Sequence, residues 1–349
     1  MSNPSRRRYN ALRQPNNLLP ERLATLTARC ASQKCNTSFN IPWHTKRPPL
    51  TPVVPNRGPG LWIPIAATLQ CPKCGVDCNL PLPVVKRRGA NRVFADEAFR
   101  SSEKWQVIVY AFVATADGHF AELDQRICSI KNAILPGISP SNWKLHFKIL
   151  THGDLRNKDA TLSRLTQTDV TNLTNALFEL VSNAVGKMTV TVAATIQRNA
   201  PNSQKGRLLK LSQRNLLTFS LLYLIDLSTG QGIKPEFIFD SDRLLKEVQS
   251  SDGWIPDLFE GSTLSLLYPF LSHGISVPKP LLVQPGSHIM LELADFIAFA
   301  VARDISNTLL KKIDMYSSKR LGKITYLSFD KANCGVHAHT VGFPFQILA

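Results

Sequence analysis

The stretch WQVIVYAFVAT at residues 105–115 decides the fold of this protein. It is rich in β-branched and aromatic residues and predicts a strand. MTVTVAATIQ at 188–197 has a similar apolar and threonine-rich character and predicts a further strand. Around these two stretches, segments with helical apolar spacing alternate with other strand-like segments. This alternation predicts an α/β fold in which helices flank a mixed sheet.

The remaining elements are predicted from the same two periodicities. Strands are expected at NRVFA (91–95), KLHFKIL (144–150) and EFIFD (236–240), with a short extended piece in ISVPKPLLV (275–283). Helices are expected over residues 121–134, 169–185, 212–227, 242–249 and 288–309. The last helix carries Asp295 inside the apolar run LELADFIAFA. Because an ionised carboxylate is costly to bury without a partner, Asp295 is a candidate functional residue.

Length and composition narrow the class of protein. The chain has 349 residues, of which 44% are hydrophobic and 19% are charged, as is typical of a globular protein of two or three domains. The longest apolar stretches contain charged residues, so we expect no membrane span. The amino terminus carries arginines without an apolar segment, which argues against secretion and favours the cytoplasm. P-loop, GxSxG and HExxH motifs are absent from the sequence.

Positive charge is concentrated at the start of the chain. Residues 1–100 carry 16 Lys and Arg against 4 Asp and Glu, and so account for +12 of the net charge of +16. A basic head joined to a nearly neutral body indicates a partner that is a polyanion, and nucleic acid is favoured over an anionic membrane surface. The alternative is a solvated basic arm that aids solubility. The run KRRGANR is a predicted hinge between head and body whose charges can contact phosphates, namely Lys86, Arg87, Arg88 and Arg92.

Cysteines are clustered in the same basic head. Five of the seven lie there, with a C-x4-C pair followed, after 35 residues, by a C-x2-C pair. This spacing predicts a zinc ribbon, because Zn²⁺ prefers four thiolates in a tetrahedron, and the alternative is a set of unrelated thiols. A closed site of this kind is structural, since no position stays open for water. The assigned ligands are Cys30, Cys35, Cys71 and Cys74, with Cys78 as the substitute.

Acidic residues of the body stand where strands end. Asp96 and Glu97 follow the first predicted strand, and Asp240 closes the strand EFIFD with Asp242 two residues later. Together with Asp295, they form the pattern that metal-dependent phosphoryl-transfer nucleases need, because carboxylate oxygens bind Mg²⁺ or Mn²⁺. Each acid taken alone is ordinarily a helix cap, a turn residue or a surface group. Only their joint pattern predicts catalysis.

Four segments in a fixed order carry a resemblance to a known family. RVFADEAF, NWKLHFKIL, PEFIFDSD and IMLELADFIAFAVARDI resemble domain-of-unknown-function family 3800 over residues 90–312. The resemblance implies a ribonuclease H-like fold and a nuclease activity. It assigns metal-binding roles to Asp96, Glu97, Asp240 and Asp295, and the role of the motif histidine to His146. It does not cover the basic head (1–88) or a C-terminal extension (313–349).

The sequence departs from the family pattern at three positions. Ala98 and Phe99 replace the serine and glycine that follow the acidic pair, and Lys144 replaces the glutamate two residues before the motif histidine. A lysine there removes a metal ligand and can instead bind a substrate phosphate. Alternatively, the site binds metal weakly or has lost activity. The missing carboxylate has three candidate replacements: Glu97, Asp242 and Glu292.

These features predict a two-part protein that acts on nucleic acid. The zinc-bearing head holds the nucleic acid, and the body cleaves it by two-metal hydrolysis, with His146 orienting water or the scissile phosphate. The competing interpretation is a non-catalytic nucleic-acid-binding or assembly protein with a degenerate site. A third interpretation is a toxin or a phage-defence effector with the same chemistry. Whether the protein also binds other proteins is left open by the sequence.

Overall fold

The structure is a computed structural model that describes residues 27–40, 51–53, 66–82, 84–102, 104–198, 202–240, 272–278, 280–284, 286–310, 318–329 and 336–339. The described residues 27–40, 51–53 and 66–82 form the cysteine-bearing head. Its first sheet has two antiparallel strands, β1 (Thr27–Arg29) and β2 (Ser38–Asn40). Its second sheet has three antiparallel strands, β3 (Thr51–Val53), β4 (Ala66–Gln70) and β5 (Asp77–Pro81).

In its described residues, the body is built on one mixed sheet of seven strands. In chain order these are β6 (Gly89–Ser101), β7 (Trp105–Ala116), β8 (Met188–Arg198), β9 (Ile233–Asp240), β10 (Leu281–Val283), β11 (Thr325–Phe329) and β12 (Val336–His339). The order across the sheet is β10-β9-β6-β7-β8-β11-β12. β6, β7 and β8 pair antiparallel, while β9 is parallel to β6 and β10 is parallel to β9. On the other side, β11 is parallel to β8 and β12 is antiparallel to β11.

Helices cover both faces of this sheet. They are α1 (Asp117–Ile134), α2 (Phe147–Thr151), α3 (Gly153–Arg156), α4 (Gln167–Asn183), α5 (Asn202–Gly230) and α6 (Ile289–Leu309). One core contains buried residues of α1, α4 and α6, and the other contains those of α5 together with apolar residues of the head. The predicted α/β fold with a mixed sheet flanked by helices is therefore confirmed. In the described part of the chain, none of the helices has the length and apolar character required to cross a bilayer.

β7 is buried on both sides, which explains its continuous apolar sequence. Val109 and Val113 pack in the core under α6, whereas Ile108 and Phe112 pack in the core on the α5 side. Successive side chains of a strand point to opposite faces, so a central strand with helices on both faces has no polar alternation. The predicted strands at 91–95, 105–115, 188–197 and 236–240 all lie within observed strands. β6 continues to Ser101, however, so the prediction that Asp96 and Glu97 follow the end of the first strand is wrong, and both lie inside it.

The prediction of a strand at KLHFKIL (144–150) is wrong. Residues 144–146 belong to no helix or strand, His146 is extended, and the short helix α2 begins at Phe147. Leu145 and Phe147 are buried while Lys144 and His146 are exposed, so the period-2 pattern is real, but the segment packs beside α6 and pairs with no strand. The alternation thus arises because one side of the segment is buried, and not because the segment belongs to the sheet.

Two other predictions have different outcomes. The segment after residue 312, predicted as an extension, contributes β11 and β12 to the sheet next to β8. α5 runs over Asn202–Gly230, well beyond the predicted 212–227. The predicted helix at 242–249 and the candidate ligand Asp242 lie outside the described residues.

Candidate functional site

A cavity of about 320 Å³ lies where β6, the end of β9 and α6 meet. It is bordered by the three aspartates that the sequence singles out, Asp96, Asp240 and Asp295. Lys144 and His146 border it as well. Side chains from positions 96 to 295 of the chain therefore come together at one place, as the joint pattern of acids requires.

The pairing of β6 with β9 brings the first two aspartates together. These strands are parallel, and Ala95 is registered with Phe239, so Asp96 and Asp240 occupy the next adjacent positions. Two residues before each of them, Phe94 and Ile238 belong to the core beneath α6. Because side chains alternate along a strand, both carboxylates are directed to the face that α6 covers.

Asp295 borders the same cavity from α6, and its side chain also binds the backbone at Phe147. Its side chain is 14% exposed, and its Oδ2 accepts a hydrogen bond from the backbone N–H of Phe147 at 2.9 Å. The same oxygen lies 3.4 Å from Nδ1 of His146, whose side chain is 54% exposed. His146 therefore stands at the open rim of the cavity with one ring nitrogen directed at a carboxylate, which suits a residue that orients water or a phosphate oxygen.

Lys144 is placed in the cavity with the help of a glycine. Gly286 has a φ of +73°, a left-handed conformation that favours glycine. A Cβ at this position would overlap Cε of Lys144 and lie 2.6 Å from its Cδ. A side chain at position 286 would therefore require the flexible end of Lys144 to move. An ammonium group beside carboxylates can offset part of their charge and can bind a phosphate oxygen.

The structure disfavours two of the candidates for the missing carboxylate. Glu97 borders the cavity, and its backbone N–H donates to Oδ1 of Asp96 at 2.7 Å, but strand alternation directs its side chain to the opposite face. Glu292 is buried and accepts a hydrogen bond from Nζ of Lys131 at 2.8 Å. Burial raises the pKa of Glu292 above its ordinary value, although Lys131 opposes that shift. Glu292 also borders the cavity, but its carboxylate is already paired with Lys131.

The predicted phosphate contacts of the hinge lie apart from the cavity. Lys86, Arg87 and Arg88 are exposed and precede β6, and none of them borders the cavity. Arg92 forms an ion pair with Asp117 at 3.2 Å and stacks over the ring of Phe120 at 4.9 Å. Arg92 is therefore bound to α1, and the exposed cations before Gly89 are better placed to contact a polyanion.

The four assigned cysteines of the head do come together. One ligand atom from each of Cys30, Cys35, Cys71 and Cys74 lies within 4.8 Å of the others, so the group could hold a metal ion. Sγ of Cys30 is 3.4 Å from Sγ of Cys74, and Sγ of Cys35 is 3.9 Å from Sγ of Cys71. A tetrahedron with Zn–S bonds of about 2.3 Å has S–S edges of about 3.8 Å. The arrangement therefore fits a four-thiolate site.

Local contacts act in opposite directions on the four thiols of this cluster. The pKa is lowered for Cys35 and Cys71, whereas burial raises it for Cys30 and it is also raised for Cys74. The hydroxyl of Thr37 lies 3.3 Å from Sγ of Cys35, and this hydrogen bond lowers the pKa of that thiol to about 6. A lowered pKa favours the thiolate, which is the form that binds metals. Cys78, the predicted substitute, is buried, and its Sγ donates to the carbonyl of Val76 at 3.4 Å. It is not a member of the four-thiolate group.

The two clusters differ in how tightly they are assembled. Within the part of the chain that the structure describes, the cysteines form the single group of three or more potential ligands close enough for one ion. Asp96, Asp240 and Asp295 do not form such a group, so their carboxylate oxygens do not all lie within 4.8 Å of one another. In comparisons with known proteins, the chain matches no family model and no curated protein. What the chain does is therefore inferred from its own residues.

Sequence reasoning missed two residues that shape the cavity, Lys131 and Gly286. A signal for Lys131 was present, because it follows Ile127 by four positions and so falls on the apolar stripe of its helix. A lysine on such a stripe is buried only with partners. For Gly286, the Pro-Gly pair at 285–286 indicated a turn, but nothing in the sequence connected that turn with Lys144.

Proposed function

We propose that this protein is a divalent-metal-dependent nuclease that hydrolyses phosphodiester bonds of nucleic acid in the cavity beside Asp96, Asp240 and Asp295. The observation that carries the proposal is the meeting of three carboxylates from distant parts of the chain in one cavity. Carboxylate oxygens are the ligands that Mg²⁺ and Mn²⁺ prefer, and the donor set therefore fits such ions. When bound, the ions would supply Lewis-acid stabilisation of the charge that develops on a phosphodiester.

The same proposal includes a fold class and a family. The order β8-β7-β6-β9-β10, with an antiparallel meander followed by two parallel strands, supports a ribonuclease H-like body. Three of the four family 3800 motifs lie on the expected kind of element, since the acidic pair is on β6, although inside the strand, PEFIFD is in β9 and the LELAD segment is in α6. The fourth motif, NWKLHFKIL, is not in the strand that the family pattern has. These placements support membership of that family.

Different residues have different roles at the cavity. Asp96, Asp240 and Asp295 hold the cations. His146, with Nδ1 directed to Asp295, orients water or the scissile phosphate. Lys144 binds a phosphate oxygen as a compact positive charge. The three kinds of group therefore cover cation binding, water orientation and substrate binding.

The head has a separate role in the proposal. Zn²⁺ is the ion that we assign to the four thiolates, because its preferred geometry matches the observed sulfur separations. The site stabilises the head, and the exposed cations Lys86, Arg87 and Arg88 bind the nucleic-acid backbone.

Incubation with labelled DNA and RNA tests the proposal directly. Single-stranded and duplex substrates are given with Mg²⁺, Mn²⁺ or a chelator, and cleavage is expected only with a divalent ion. Asp240→Asn is expected to lower the rate at least ~100-fold, since even residues that only support a metal ligand cost 10–100-fold. Glu179→Gln, which alters an exposed carboxylate of α4, is the matched control and keeps the wild-type rate. Absence of metal-dependent cleavage on all substrates rejects the proposal.

A second function is favoured by one observation, the presence of Lys144 where a carboxylate would complete a metal site. A positive charge among three acids lowers the attraction for cations and increases that for phosphates. In this case the protein binds nucleic acid without cleaving it. Calorimetric titration with Mn²⁺ separates the two functions, because a non-catalytic binder gives no heat that depends on Asp96 and Asp240.

A further inference from the structure

Lys131 is a charged residue that lies wholly inside the described part of the body. It lies on α1, and its side chain is fully buried. Its Nζ donates to Oε2 of Glu292 at 2.8 Å and to the carbonyl of Trp143 at 2.6 Å. The same ammonium lies 4.7 Å from the centre of the Trp143 ring. The ammonium group of Lys131, which belongs to α1, is thus bound both to α6 and to Trp143, which precedes the residues that border the cavity.

Glu292 extends this network along the same segment. Besides the bond from Lys131, its carboxylate lies near enough to the backbone N–H of Leu145 for that group to oppose the rise in the pKa of Glu292. One turn further along α6, Asp295 accepts the backbone N–H of Phe147. Three backbone groups at alternate positions, the carbonyl of Trp143 and the N–H groups of Leu145 and Phe147, therefore interact with charged side chains.

The alternation of these anchors determines where the intervening side chains go. Trp143, Leu145 and Phe147 are 3%, 2% and 1% exposed, so they are fixed in the core. Lys144 and His146 lie between them and border the cavity. A backbone that is held at every second residue gives the side chains in between little freedom to move away from the site.

Stability alone does not account for a buried ion pair at this place. Desolvation of two charges is expensive, and apolar residues of similar volume are often as stable or more stable. Buried pairs are retained in some proteins because they specify one geometry. Here the pair connects two helices to the segment that carries Lys144 and His146, so a specific geometry of that segment is what the pair can supply.

We propose that Lys131 and Glu292 are positioning residues, which hold the segment 143–147 so that Lys144 and His146 face a bound nucleic-acid phosphate. The role of the two side chains rests on the proposed function, whereas their placement by the buried pair does not. Neither Lys131 nor Glu292 is a ligand or a proton donor in this proposal. They act through the backbone that they hold.

The double variant Lys131→Met with Glu292→Leu tests the proposal, since it replaces the pair with apolar side chains. The variant is expected to melt above Lys131→Met alone, because the single change leaves a buried carboxylate without its lysine. Amide exchange at Leu145 is nevertheless expected to rise at least ~10-fold, because the carboxylate near its N–H is gone. Affinity for a phosphorothioate oligonucleotide is expected to fall at least ~10-fold. Exchange and affinity equal to those of the wild type would overturn the proposal.

Two further variants keep the test decisive. Glu292→Gln has nearly the same shape as the wild type but only one acceptor oxygen, so exchange at Leu145 rises while exchange at Phe147, which Asp295 holds, does not. Unchanged exchange at Leu145 in this variant also rejects the proposal. Ile305→Ala, a buried change elsewhere on α6, is the control for lost stability and leaves both amides protected. If the wild-type protein binds no nucleic acid, the proposed function fails, and amide exchange still decides the positioning role.

Discussion

At the scale of single residues, the position of Lys144 in the cavity depends on a glycine that has no side chain of its own to bind a ligand. Gly286 has positive φ, and Lys144 occupies the space that a Cβ would fill. Gly286→Ala therefore has two expected effects. The left-handed conformation costs about 1–2 kcal/mol of stability for an alanine. The displaced lysine lowers the affinity for a single-stranded oligonucleotide about tenfold or more, because a charge-assisted hydrogen bond is worth about 1.5–3 kcal/mol.

A second glycine separates these two effects. Gly186 has a φ of +88°, and an added Cβ there would meet no atom within 4 Å. Gly186→Ala is expected to lose similar stability in urea denaturation while oligonucleotide binding, measured by fluorescence anisotropy, stays at the wild-type level. Equal binding by the two variants would mean that Lys144 does not contact the nucleic acid.

Candidate site residues could be found from the sequence where chemistry and position agree. Asp96 and Asp240 end apolar strand patterns, and Asp295 interrupts an apolar helix, so each stands out against its surroundings. Their convergence could not be derived from these patterns, because it depends on the parallel pairing of β6 with β9. Register between distant strands is a property of the whole sheet, and a single strand does not encode its partner.

At the scale of elements, prediction failed where one pattern has two structural causes. KLHFKIL alternates apolar and polar residues as an edge strand would, but its polar residues face a cavity and its apolar residues face α6. By contrast, α4 was predicted over 169–185 and is found at Gln167–Asn183, because its apolar stripe and its capping residues agree. Long elements with consistent signals are recovered, and short ones beside a site are not.

The start of α4 provides a prediction at this scale. Thr166 and Asp169 form a capping box, in which the hydroxyl of Thr166 accepts the N–H of Asp169 at 3.1 Å. Thr166→Ala is expected to lower the free energy of unfolding by about 1 kcal/mol. Thr171→Ala, on the same helix beyond the cap, is the control and should change it by less than about 0.5 kcal/mol. Urea denaturation measures both variants.

The contribution of this cap depends on pH in a defined direction. The hydroxyl and the backbone N–H of Thr166 lower the pKa of Asp169 below its ordinary value. The stabilisation is therefore complete above the ordinary pKa of an aspartate, about 4, and is lost as the pH falls through the lowered value. The difference between wild type and Thr166→Ala should shrink on going from pH 7 to pH 3. A constant difference would contradict the role of the ionised carboxylate.

At the scale of the whole molecule, the head depends on its thiols more than the body does. The core under α6 consists of body residues, whereas the core on the α5 side also includes apolar residues of the head, which is small and carries four clustered thiols. Small domains often need a metal to stay folded. One zinc ion per chain is expected by elemental analysis, and Cys71→Ser is expected to lose it. Cys78→Ser is the matched control and keeps the metal, because Cys78 bonds to Val76 outside the group.

Loss of the metal should leave the body folded. Cys71→Ser is expected to retain the circular dichroism of the large sheet and its thermal transition, while limited proteolysis cuts within residues 27–82. Metal content that is the same in Cys71→Ser and Cys78→Ser would show that the thiolate group is not the site.

The junction between head and body holds its cations in a fixed place. Its backbone is attached to the body, since the N–H of Val85 donates to the carbonyl of His273 at 2.9 Å and the N–H of Arg88 donates to that of Gly232 at 2.7 Å. Asp96 lies seven residues beyond Gly89 along β6, or about 23 Å at 3.3 Å per residue. A nucleic acid that contacts the junction can therefore extend to the cavity over a distance of several nucleotides.

The salt dependence of binding tests this path. Each phosphate that a cation neutralises on a single strand contributes about 0.7 to the slope of log affinity against log salt. Replacing Lys86, Arg87 and Arg88 with alanine is thus expected to reduce the slope by about 2 for a long oligonucleotide. The matched control removes three exposed cations elsewhere on the body, Lys104, Lys158 and Arg164, and should leave the slope unchanged. Equal slopes in the two triple variants would mean that the junction lies off the path, because both carry the same net charge and only the placement of the cations differs.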